Sequence, residues 1–255
     1  MVDIHCHLLP GFSDAPESMS EALALARQIS TSGVHSAIAV AHFDSRVYEP
    51  SAEEIKRRAA LLCNSLSEEK ISLSLTWAAE IALSDAEAMT PDELRAYSIG
   101  GLGRHVLVEA PEQMAISDIQ QALFRIRLRG VRTILTHPER IVAFRRDPRA
   151  IAESVWCGVL VQVSAGSLLG HDGKLAKQTV EAMVRGGHVH FVGSESSNCG
   201  GRYHCLKSAG RALRALVGKA GVRRLLESNP KVLLSPDSRN TIRPARPRKK
   251  LFGLF

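Results

Sequence analysis

Histidine and carboxylate residues recur in this sequence at intervals that could bring them together as metal ligands. Each of them follows a short apolar run; the residues are His5, His7, His42, Glu80, Glu109, His137 and Glu195. Ser164 also follows such a run, between His137 and Glu195. From His7 onward, successive residues of this series are 27 to 38 positions apart, which is about the length of one strand–helix unit. Imidazole and carboxylate donors together favour Mn²⁺, Fe²⁺ or Zn²⁺ over Ca²⁺ or Mg²⁺. The spacing therefore predicts a metal cluster.

Each of these residues has a structural alternative when it is considered singly. His5 and His7 point to the same side of an extended segment, because side chains alternate along a strand, and could chelate one ion. A carboxylate at the end of a buried strand must be paired or metal-bound, so a salt bridge is the alternative for Glu80 and Glu109. His42 and His137 taken alone are typical of core or cap histidines. The joint pattern favours the metal interpretation.

Strands and helices alternate along the chain in a way that would position these residues. Seven apolar runs rich in Val, Ile and Leu are typical of strands buried on both faces; they are Met1–Ile4, Ser36–Ala41, Leu73–Ala79, His105–Val108, Arg132–Thr136, Val159–Val163 and Val189–Val192. Capping boxes predict helix starts at Ser18, Ser51 and Ser117. We expect an α/β fold, a distorted parallel β/α barrel of about seven strands whose C-terminal strand ends meet at one mouth. An open doubly wound sheet is the alternative.

The charge of the chain is concentrated at its C-terminal end. The 255 residues carry 33 basic and 26 acidic side chains, a net +7, and are 45% hydrophobic and 23% charged. Residues 236–255 hold six bases and one acid, which leaves 27 bases and 25 acids for residues 1–235. We therefore expect a barrel domain over 1–235 and a basic, flexible tail over 236–255. A nearly neutral body argues against nucleic-acid binding.

The N-terminal segment and the cysteines indicate a cellular compartment. The first residues lack the basic and apolar regions of a secretory signal, and no apolar run is long enough to span a bilayer. Five scattered cysteines are typical of reduced thiols. We expect a cytoplasmic protein.

Several motifs resemble the polymerase-and-histidinol-phosphatase (PHP) superfamily. They are the opening Asp3–Gly11 with Asp14 after it, Ala79-Glu80-Ile81, Leu107-Val108-Glu109, the run Thr136–Arg140, and Val161–Gly170. Within the superfamily the sequence is most similar to the manganese-dependent bacterial tyrosine phosphatases encoded with capsule and exopolysaccharide genes. The His-Pro-Glu-Arg run at 137–140 and the Ser-Ala-Gly-Ser-Leu-Leu-Gly run at 164–170 are specific to that branch.

The resemblance implies a hydrolase that removes phosphate from protein tyrosine with two or three divalent ions, Mn²⁺ first and Fe or Zn as alternatives. The first metal would be held by His5, His7, Glu80 and Glu195. The second would share Glu80 and add Glu109 and His137, and the third would use Asp14 and His42. The implied catalytic residues are Arg140 and Arg202, which would bind phosphate, with Asp14 and His42. The implied partner is the phosphorylated tyrosine-rich tail of a membrane tyrosine autokinase in polysaccharide export.

This sequence departs from the branch pattern in its last motif. The branch has Ser-Asp-x-His where this chain has Ser194-Glu195-Ser196-Ser197. Glutamate keeps the oxygen donor on a longer arm, whereas serine removes an imidazole of the third site, for which His190 or His204 could substitute. Two alternatives therefore stay open: a catalytically impaired homologue that binds metal or phosphotyrosine, and a phosphatase of the superfamily that acts on a small molecule.

Two further segments carry hypotheses of their own. His204-Cys205 through Arg211 matches the HC-x5-R of cysteine-dependent tyrosine phosphatases, but the segment lacks the central glycine and continues as a helical pattern. The tail from Arg243 combines bases with the apolar end Leu-Phe-Gly-Leu-Phe. One interpretation is a solvated, disordered end. The other is peripheral contact with anionic lipid at the inner face of the membrane, to which each base could contribute about 1 kcal/mol.

Overall fold

Seven parallel strands form one sheet in the order in which they occur along the chain. The computed structural model describes residues 1–197, 205–235 and 241–245. The strands are β1 (Val2–Cys6), β2 (Ser36–Phe43), β3 (Ser74–Ala82), β4 (His105–Glu109), β5 (Arg132–Thr136), β6 (Leu160–Ser164) and β7 (Phe191–Gly193). The seven predicted runs are confirmed to within a few residues at their ends.

The sheet curls into a nearly closed barrel, and its first and last strands meet only near the C-terminal ends. There the Glu195 N–H donates to the His5 carbonyl at 2.8 Å, and the His7 N–H donates to the Ser196 carbonyl at 2.9 Å. The parallel β/α barrel is therefore confirmed, and the open doubly wound sheet is wrong. Right-handed crossovers through helices give this arrangement when every strand is parallel to the next.

Helices follow most of the strands and cover the outside of the barrel. They are α1 (Met19–Thr31), α2 (Ala52–Glu68), α3 (Leu83–Ala88), α4 (Pro91–Ala96), α5 (Ile116–Leu128), α6 (Val142–Arg146), α7 (Ile151–Trp156), α8 (Ala165–Leu169), α9 (Gly173–Gly186), α10 (Leu206–Arg223) and α11 (Asn229–Leu234). A π-helical turn, Arg224–Ser228, joins the last two. No helix among the described residues is long and apolar enough to cross a bilayer.

Two of the three predicted helix starts are confirmed. The side chains of Ser18 and Ser51 accept from the backbone N–H three residues on, as N-cap residues do. The third is wrong: α5 begins at Ile116, so Ser117 already lies in the first turn and cannot cap it. A reciprocal capping box that was not foreseen lies before α4, between Thr90 and Glu93.

Two apolar layers hold the barrel. The larger one lies between the strands and the surrounding helices. The smaller one fills the barrel interior with residues such as Ile4, Ile38 and Ile134, and Leu233 of α11 packs against it. Apolar side chains thus fill the barrel interior below the mouth, where the C-terminal ends of the strands meet. The polar residues that follow the strands are therefore confined to the mouth.

A short part of the expected tail packs against the barrel. Ile242 and Ala245 are buried, the Ala245 N–H donates to the Val189 carbonyl, and the Asn229 amide donates to the Arg243 carbonyl. Residues 243–245, which the sequence placed in the basic tail, therefore contact the barrel domain. Residues 236–240 and 246–255 lie outside the described part of the chain.

Candidate metal centre

The mouth of the barrel gathers the predicted histidines and carboxylates around one buried side chain, Glu80. In the register between β2 and β3, His42 is the direct neighbour of Glu80, and Ala82 is paired with Glu109 of β4. Strand β1 ends beside them, so that His5 and His7 reach the same space. The expectation that strand ends would converge at one mouth is met for these residues.

The Glu80 carboxylate is shared by three imidazoles. Its Oε2 atom lies 3.3 Å from His5 Nε2 and 3.3 Å from His42 Nδ1. Its Oε1 atom lies 3.1 Å from His137 Nε2, which is also 3.5 Å from Glu109 Oε1. A single carboxylate surrounded in this way resembles a bridging ligand between two cations.

Two sets of donor atoms are close enough to bind an ion each. His5, His7 and Glu80 form one set, and His42, Glu80 and Glu109 form the other; within each set one donor atom per residue lies within 4.8 Å of the others. The rings of His7 and His42 stack with centroids 4.7 Å apart. The two sets therefore adjoin each other through Glu80.

The donor atoms fit divalent cations by a test that does not depend on resemblance. His5 Nε2, His7 Nδ1 and Glu80 Oε2 are buried and have no hydrogen-bond partner among the described residues. A buried polar atom without a partner costs about 1–3 kcal/mol, so native proteins rarely keep several together. A cation bound by these three atoms would satisfy all of them.

Burial and the shared carboxylate set the charge state of the cluster. Burial, with repulsion from His5 and His42, holds the pKa of His7 well below its usual range, so this ring is neutral and ready to bind metal. Burial alone would also lower the pKa of His5, but the Glu80 carboxylate outweighs it and raises that pKa to about 9. Burial would raise the pKa of Glu80, but His5 and His137 hold it well below normal. Glu80 is therefore ionised at neutral pH.

The backbone is strained around the cluster. Asp14, His137 and Glu195 adopt positive φ angles of 60°, 30° and 53°. Residues other than glycine rarely adopt this region, and each case costs on the order of 1–3 kcal/mol. Strain of this kind collects where side chains must be aimed at a site, and here it falls on three predicted site residues.

Gln162, in the middle of β6, orients His5 and was missed by the sequence analysis. Its Oε1 atom lies 2.8 Å from His5 Nδ1, and its Nε2 atom donates to Glu195 Oε1 at 3.3 Å. Gly193 permits this packing, because a Cβ there would lie 2.7 Å from His5 Cβ and 2.9 Å from Gln162 Nε2. The available signal was a polar residue inside the apolar run Leu160–Ser164.

Two buried acids hold the backbone around the mouth. Asp3 accepts from the N–H groups of His5 and Ser194, which ties the start of the barrel to its end. Glu139 is fully buried and accepts from the Ser164 N–H at 2.7 Å. Burial raises the pKa of Glu139 to about 7. Both acids support the site without belonging to the two donor sets.

Arg140 lies at the edge of the cluster and is paired with acids of the chain. Its guanidinium forms an ion pair with Glu195 and lies 3.6 Å from Asp172. The Glu195 carboxylate is thereby held by Arg140 and Gln162, and neither donor set includes it. The predicted role of Glu195 in the first metal site stays a prediction. Arg202 lies outside the described residues.

The third predicted site is the least complete part of the mouth. Asp14 Oδ2 lies 3.5 Å from His42 Nε2, and the Asp14 side chain is half exposed. The Ser197 hydroxyl, at the position of the missing histidine, donates to the Asp14 carbonyl. His190 cannot replace that histidine, because it precedes β7 at the other end of the barrel and its Nδ1 accepts from the Val161 N–H. His204 is not among the described residues.

Cys205 does not have the environment of a catalytic thiol. It directly precedes α10, so the residues after it form a helix instead of a phosphate-binding loop. Burial, followed by Asp3 and Glu195, raises the pKa of this thiol to about 12, which leaves it protonated at neutral pH. The HC-x5-R match is therefore coincidental in its described part.

The comparison with known proteins agrees with this geometry. The model of the family described as capsular polysaccharide synthesis, CpsB/CapC, matches residues 1–235. The tyrosine-protein phosphatase YwqE of Bacillus subtilis is 27% identical over 100% of both chains. The tyrosine-protein phosphatase CpsB of Streptococcus pneumoniae is 23% identical over 92% of this chain and 98% of its own.

Solved structures show the same fold. The first comes from a study of crystal structures of YwqE from Bacillus subtilis and CpsB from Streptococcus pneumoniae, described as unique metal-dependent tyrosine phosphatases. It superposes with a TM-score of 0.82 at 26% identity, and the match covers 98% of this chain and 100% of that chain. The phosphotriesterase homology protein of Escherichia coli, at 12% identity and a TM-score of 0.60, shares the barrel alone. This chain belongs to the CpsB/CapC family.

Proposed function

We propose that this CpsB/CapC family member is a metal-dependent protein-tyrosine phosphatase. Its substrate would be the phosphorylated tyrosine-rich tail of a membrane tyrosine autokinase of polysaccharide synthesis and export. The observation that carries the proposal is the buried Glu80 carboxylate with imidazoles of three other strand ends 3.1–3.3 Å away. The relatives named as tyrosine-protein phosphatases support the choice of reaction.

We propose ligands for two metal sites and for a third, partial one. His5, His7 and Glu80, with Glu195, would hold one ion. Glu80, Glu109 and His137 would hold a second, since His137 Nε2 lies 3.1 Å from Glu80 and 3.5 Å from Glu109; the observed second donor set has His42 in place of His137. Asp14 and His42 would hold a third. The ions, which we propose to be Mn²⁺, would supply a nucleophile from water at neutral pH and positive charge for the phosphoryl oxygens. The mixed donors equally fit Fe²⁺ or Zn²⁺.

Arg140 is the described side chain best placed to bind phosphate. Its guanidinium is planar, permanently charged and only partly exposed, which favours a bidentate contact with an oxyanion. Glu195 already occupies it, so a bound phosphate would compete with that carboxylate. We propose that Arg202, near in sequence to the last motif, assists Arg140.

A phenolic leaving group reduces what the remaining residues must do. Tyrosine has a pKa of about 10, far below that of serine, so its departure needs little help from a general acid. The partial third site around Asp14 and His42 is therefore compatible with turnover of aryl phosphates.

The proposed location is the cytoplasm, at the inner face of the membrane. The bases and the apolar end of the segment 246–255 would contact anionic lipid beside the membrane-bound substrate. Deletion of 246–255 should reduce binding to anionic vesicles without changing turnover of a soluble substrate. Unchanged vesicle binding would refute this role of the tail.

The test of the activity is hydrolysis of p-nitrophenyl phosphate and of a phosphotyrosine peptide with and without Mn²⁺. His7→Ala should abolish both, because it removes a neutral imidazole from the first donor set. His35→Ala changes an exposed histidine far from the mouth and should leave both unchanged. Full turnover by His7→Ala would refute the proposed site, and faster hydrolysis of histidinol phosphate or a nucleotide than of the peptide would change the substrate class.

A second candidate function is binding without turnover. Two contacts favour it: Ser197 holds the Asp14 carbonyl where the branch has a histidine, and Glu195 neutralises Arg140. In that case the chain would bind the phosphotyrosine peptide and release no phosphate with Mn²⁺, Fe²⁺ or Zn²⁺. Activity that appears only in Ser197→His would support this alternative.

A further inference from the structure

Positive charge is segregated within the described body of this protein. Residues 206–235, which form α10, the π-helical turn and α11, hold seven bases and one acid, a net +6. Residues 1–205 hold 20 bases and 24 acids, a net −4. The nearly neutral body expected from the sequence is therefore an average over an acidic part and a basic helical part.

The basic part forms a groove between two helical segments. Helix α10 is broken at Gly218, whose φ of 69° and ψ of −179° are not helical, so the chain after it turns back. Gly210 on the first segment lies close to Val222 and Leu226 on the second, and a Cβ there would be 3.2 Å from Leu226. The groove between the segments has a volume of about 390 Å³.

Five exposed bases line this groove, and four of them have no acidic partner among the described residues. Lys207, Arg211 and Arg214 lie on the first segment at helical spacing, and Lys219 and Arg223 on the second. The one acid that lines the groove, Glu227, already accepts from Lys231 at 2.8 Å and lies 3.8 Å from Arg223. The groove therefore carries uncompensated positive charge.

The groove is lined by apolar side chains as well as by bases, and a base next to it in the chain contacts the C-terminal segment. Met1, Val222 and Leu226 line it together with the bases. Arg224, which follows the groove residue Arg223, donates from Nη1 to the Pro244 carbonyl at 3.3 Å. The residues that follow Ala245 include four bases and then Leu-Phe-Gly-Leu-Phe. The groove and the sequence of the tail therefore share a combination of bases and apolar residues.

We propose that this groove on α10 is a docking surface for anionic phospholipid. Long bases that lie over an apolar floor place their stems against acyl chains and their charges among lipid phosphates. Among the residues that the structure describes, no aromatic side chain lines the groove to stack a nucleobase, which argues against single-stranded nucleic acid. The proposal does not depend on the phosphatase activity, because the groove shares no residue with the two donor sets.

The test is co-sedimentation of the full chain with vesicles of phosphatidylcholine, with and without phosphatidylglycerol. The wild type should bind only the anionic vesicles, and high salt should weaken binding. The variant Lys207→Gln/Arg211→Gln/Arg214→Gln should bind at least about tenfold more weakly, since it removes three of the five bases that line the groove. Its turnover of p-nitrophenyl phosphate should equal that of the wild type.

A matched variant separates the groove from net charge. Lys56→Gln/Arg57→Gln/Lys177→Gln removes three exposed bases on other helices and should bind anionic vesicles as the wild type does. Equal losses in both triple variants, or no binding by the wild type, would overturn the proposal. The proposal would also be overturned if Lys207→Gln/Arg211→Gln/Arg214→Gln kept its binding to anionic vesicles but lost binding to an acidic peptide or a DNA duplex.

Discussion

Buried histidines occur at both ends of this barrel, in opposite electrostatic environments. At the mouth, the Glu80 carboxylate overcomes the effect of burial and raises the pKa of His5 to about 9. At the opposite end, burial, followed by repulsion from Arg132, lowers the pKa of His105 and of His190 to about 4 in each case. All of these imidazoles are buried, but among the described residues only those at the mouth face a buried carboxylate.

The difference shows that a buried histidine indicates a metal site only through its neighbours. His190 is satisfied by the Val161 N–H, so it is a structural residue. His5 has one nitrogen held by Gln162 and the other without a hydrogen bond among the described residues, facing Glu80. One nitrogen held by an orienting partner and the other directed at a shared carboxylate is typical of metal-binding histidines.

The largest expected effect comes from Glu80→Gln. This change removes the carboxylate that both donor sets share, so both metals should be lost. Removing a residue that merely orients a metal ligand costs about 10–100-fold, and a shared ligand should cost more than about 100-fold in turnover. Metal content and p-nitrophenyl phosphate turnover measure this.

The matched change at the other end is His105→Gln. It should leave metal content and turnover unchanged and affect only the free energy of unfolding, because His105 lies at the first position of β4, away from the mouth. If His105→Gln released metal as Glu80→Gln does, the contrast between the two ends would be false.

A smaller effect is expected from Gln162→Leu. The change removes the hydrogen bond that orients His5 and the contact with Glu195, but no proposed ligand. Metal affinity should fall about 10–100-fold, and excess Mn²⁺ should restore turnover. Titration of the apoprotein with Mn²⁺ tests this, with Gln120→Leu at a half-buried position of α5 as the control. Loss of turnover that no metal concentration restores would contradict an orienting role.

The two ends should also respond oppositely to pH in the metal-free chain. The pKa of His5 is raised in the folded state, so its contribution to stability is present below about pH 6.5 and is lost as the pH rises through 9. The pKa of His105 is lowered, so stability is lost as the pH falls from about 6.5 towards 4. Each contribution is on the order of 1–3 kcal/mol.

Urea unfolding of the wild type, His105→Gln and Gln162→Leu in chelator at pH 5, 7 and 9 would measure the loss of stability at both acid and alkaline pH. Removal of His105 should reduce the loss of unfolding free energy between pH 7 and pH 5. If the loss of unfolding free energy at acid pH were the same in His105→Gln as in the wild type, the assignment of that loss to His105 would be contradicted.

The smallest effect is expected from Cys205→Ser. The thiol lies beside Arg140 and Glu195 but is protonated at neutral pH, so turnover should change by less than about twofold. Phosphatase assays with and without chelator check this. Activity that resists chelator and disappears in Cys205→Ser would show that the thiol, not the metal centre, is the nucleophile.

The strands and the residues that end them could be predicted from the sequence, because buried parallel strands leave continuous apolar runs and barrels bring their C-terminal ends together. Glu80 and His137 were found in this way. Gln162 was not, because one amide inside an apolar strand gives no indication of which ring it will contact. The role of Ser197 in holding the Asp14 carbonyl likewise depends on a contact across 183 positions.

Local patterns were less reliable than the overall alternation. Ser117 matched a capping box, yet the helix begins before it at Ile116. The summed charge of the body concealed the basic groove on α10, because acids elsewhere in the chain offset it. Sums over sequence lose the spatial separation on which surface function depends.

The central claim is that the mouth of the barrel holds a catalytic metal cluster. The most direct measurement is the metal content per chain of the purified protein, made beside p-nitrophenyl phosphate turnover before and after chelation and after return of Mn²⁺. The account predicts two or more divalent ions per chain, with turnover lost and regained with them. One ion or none, with no turnover under Mn²⁺, Fe²⁺ or Zn²⁺, would contradict it.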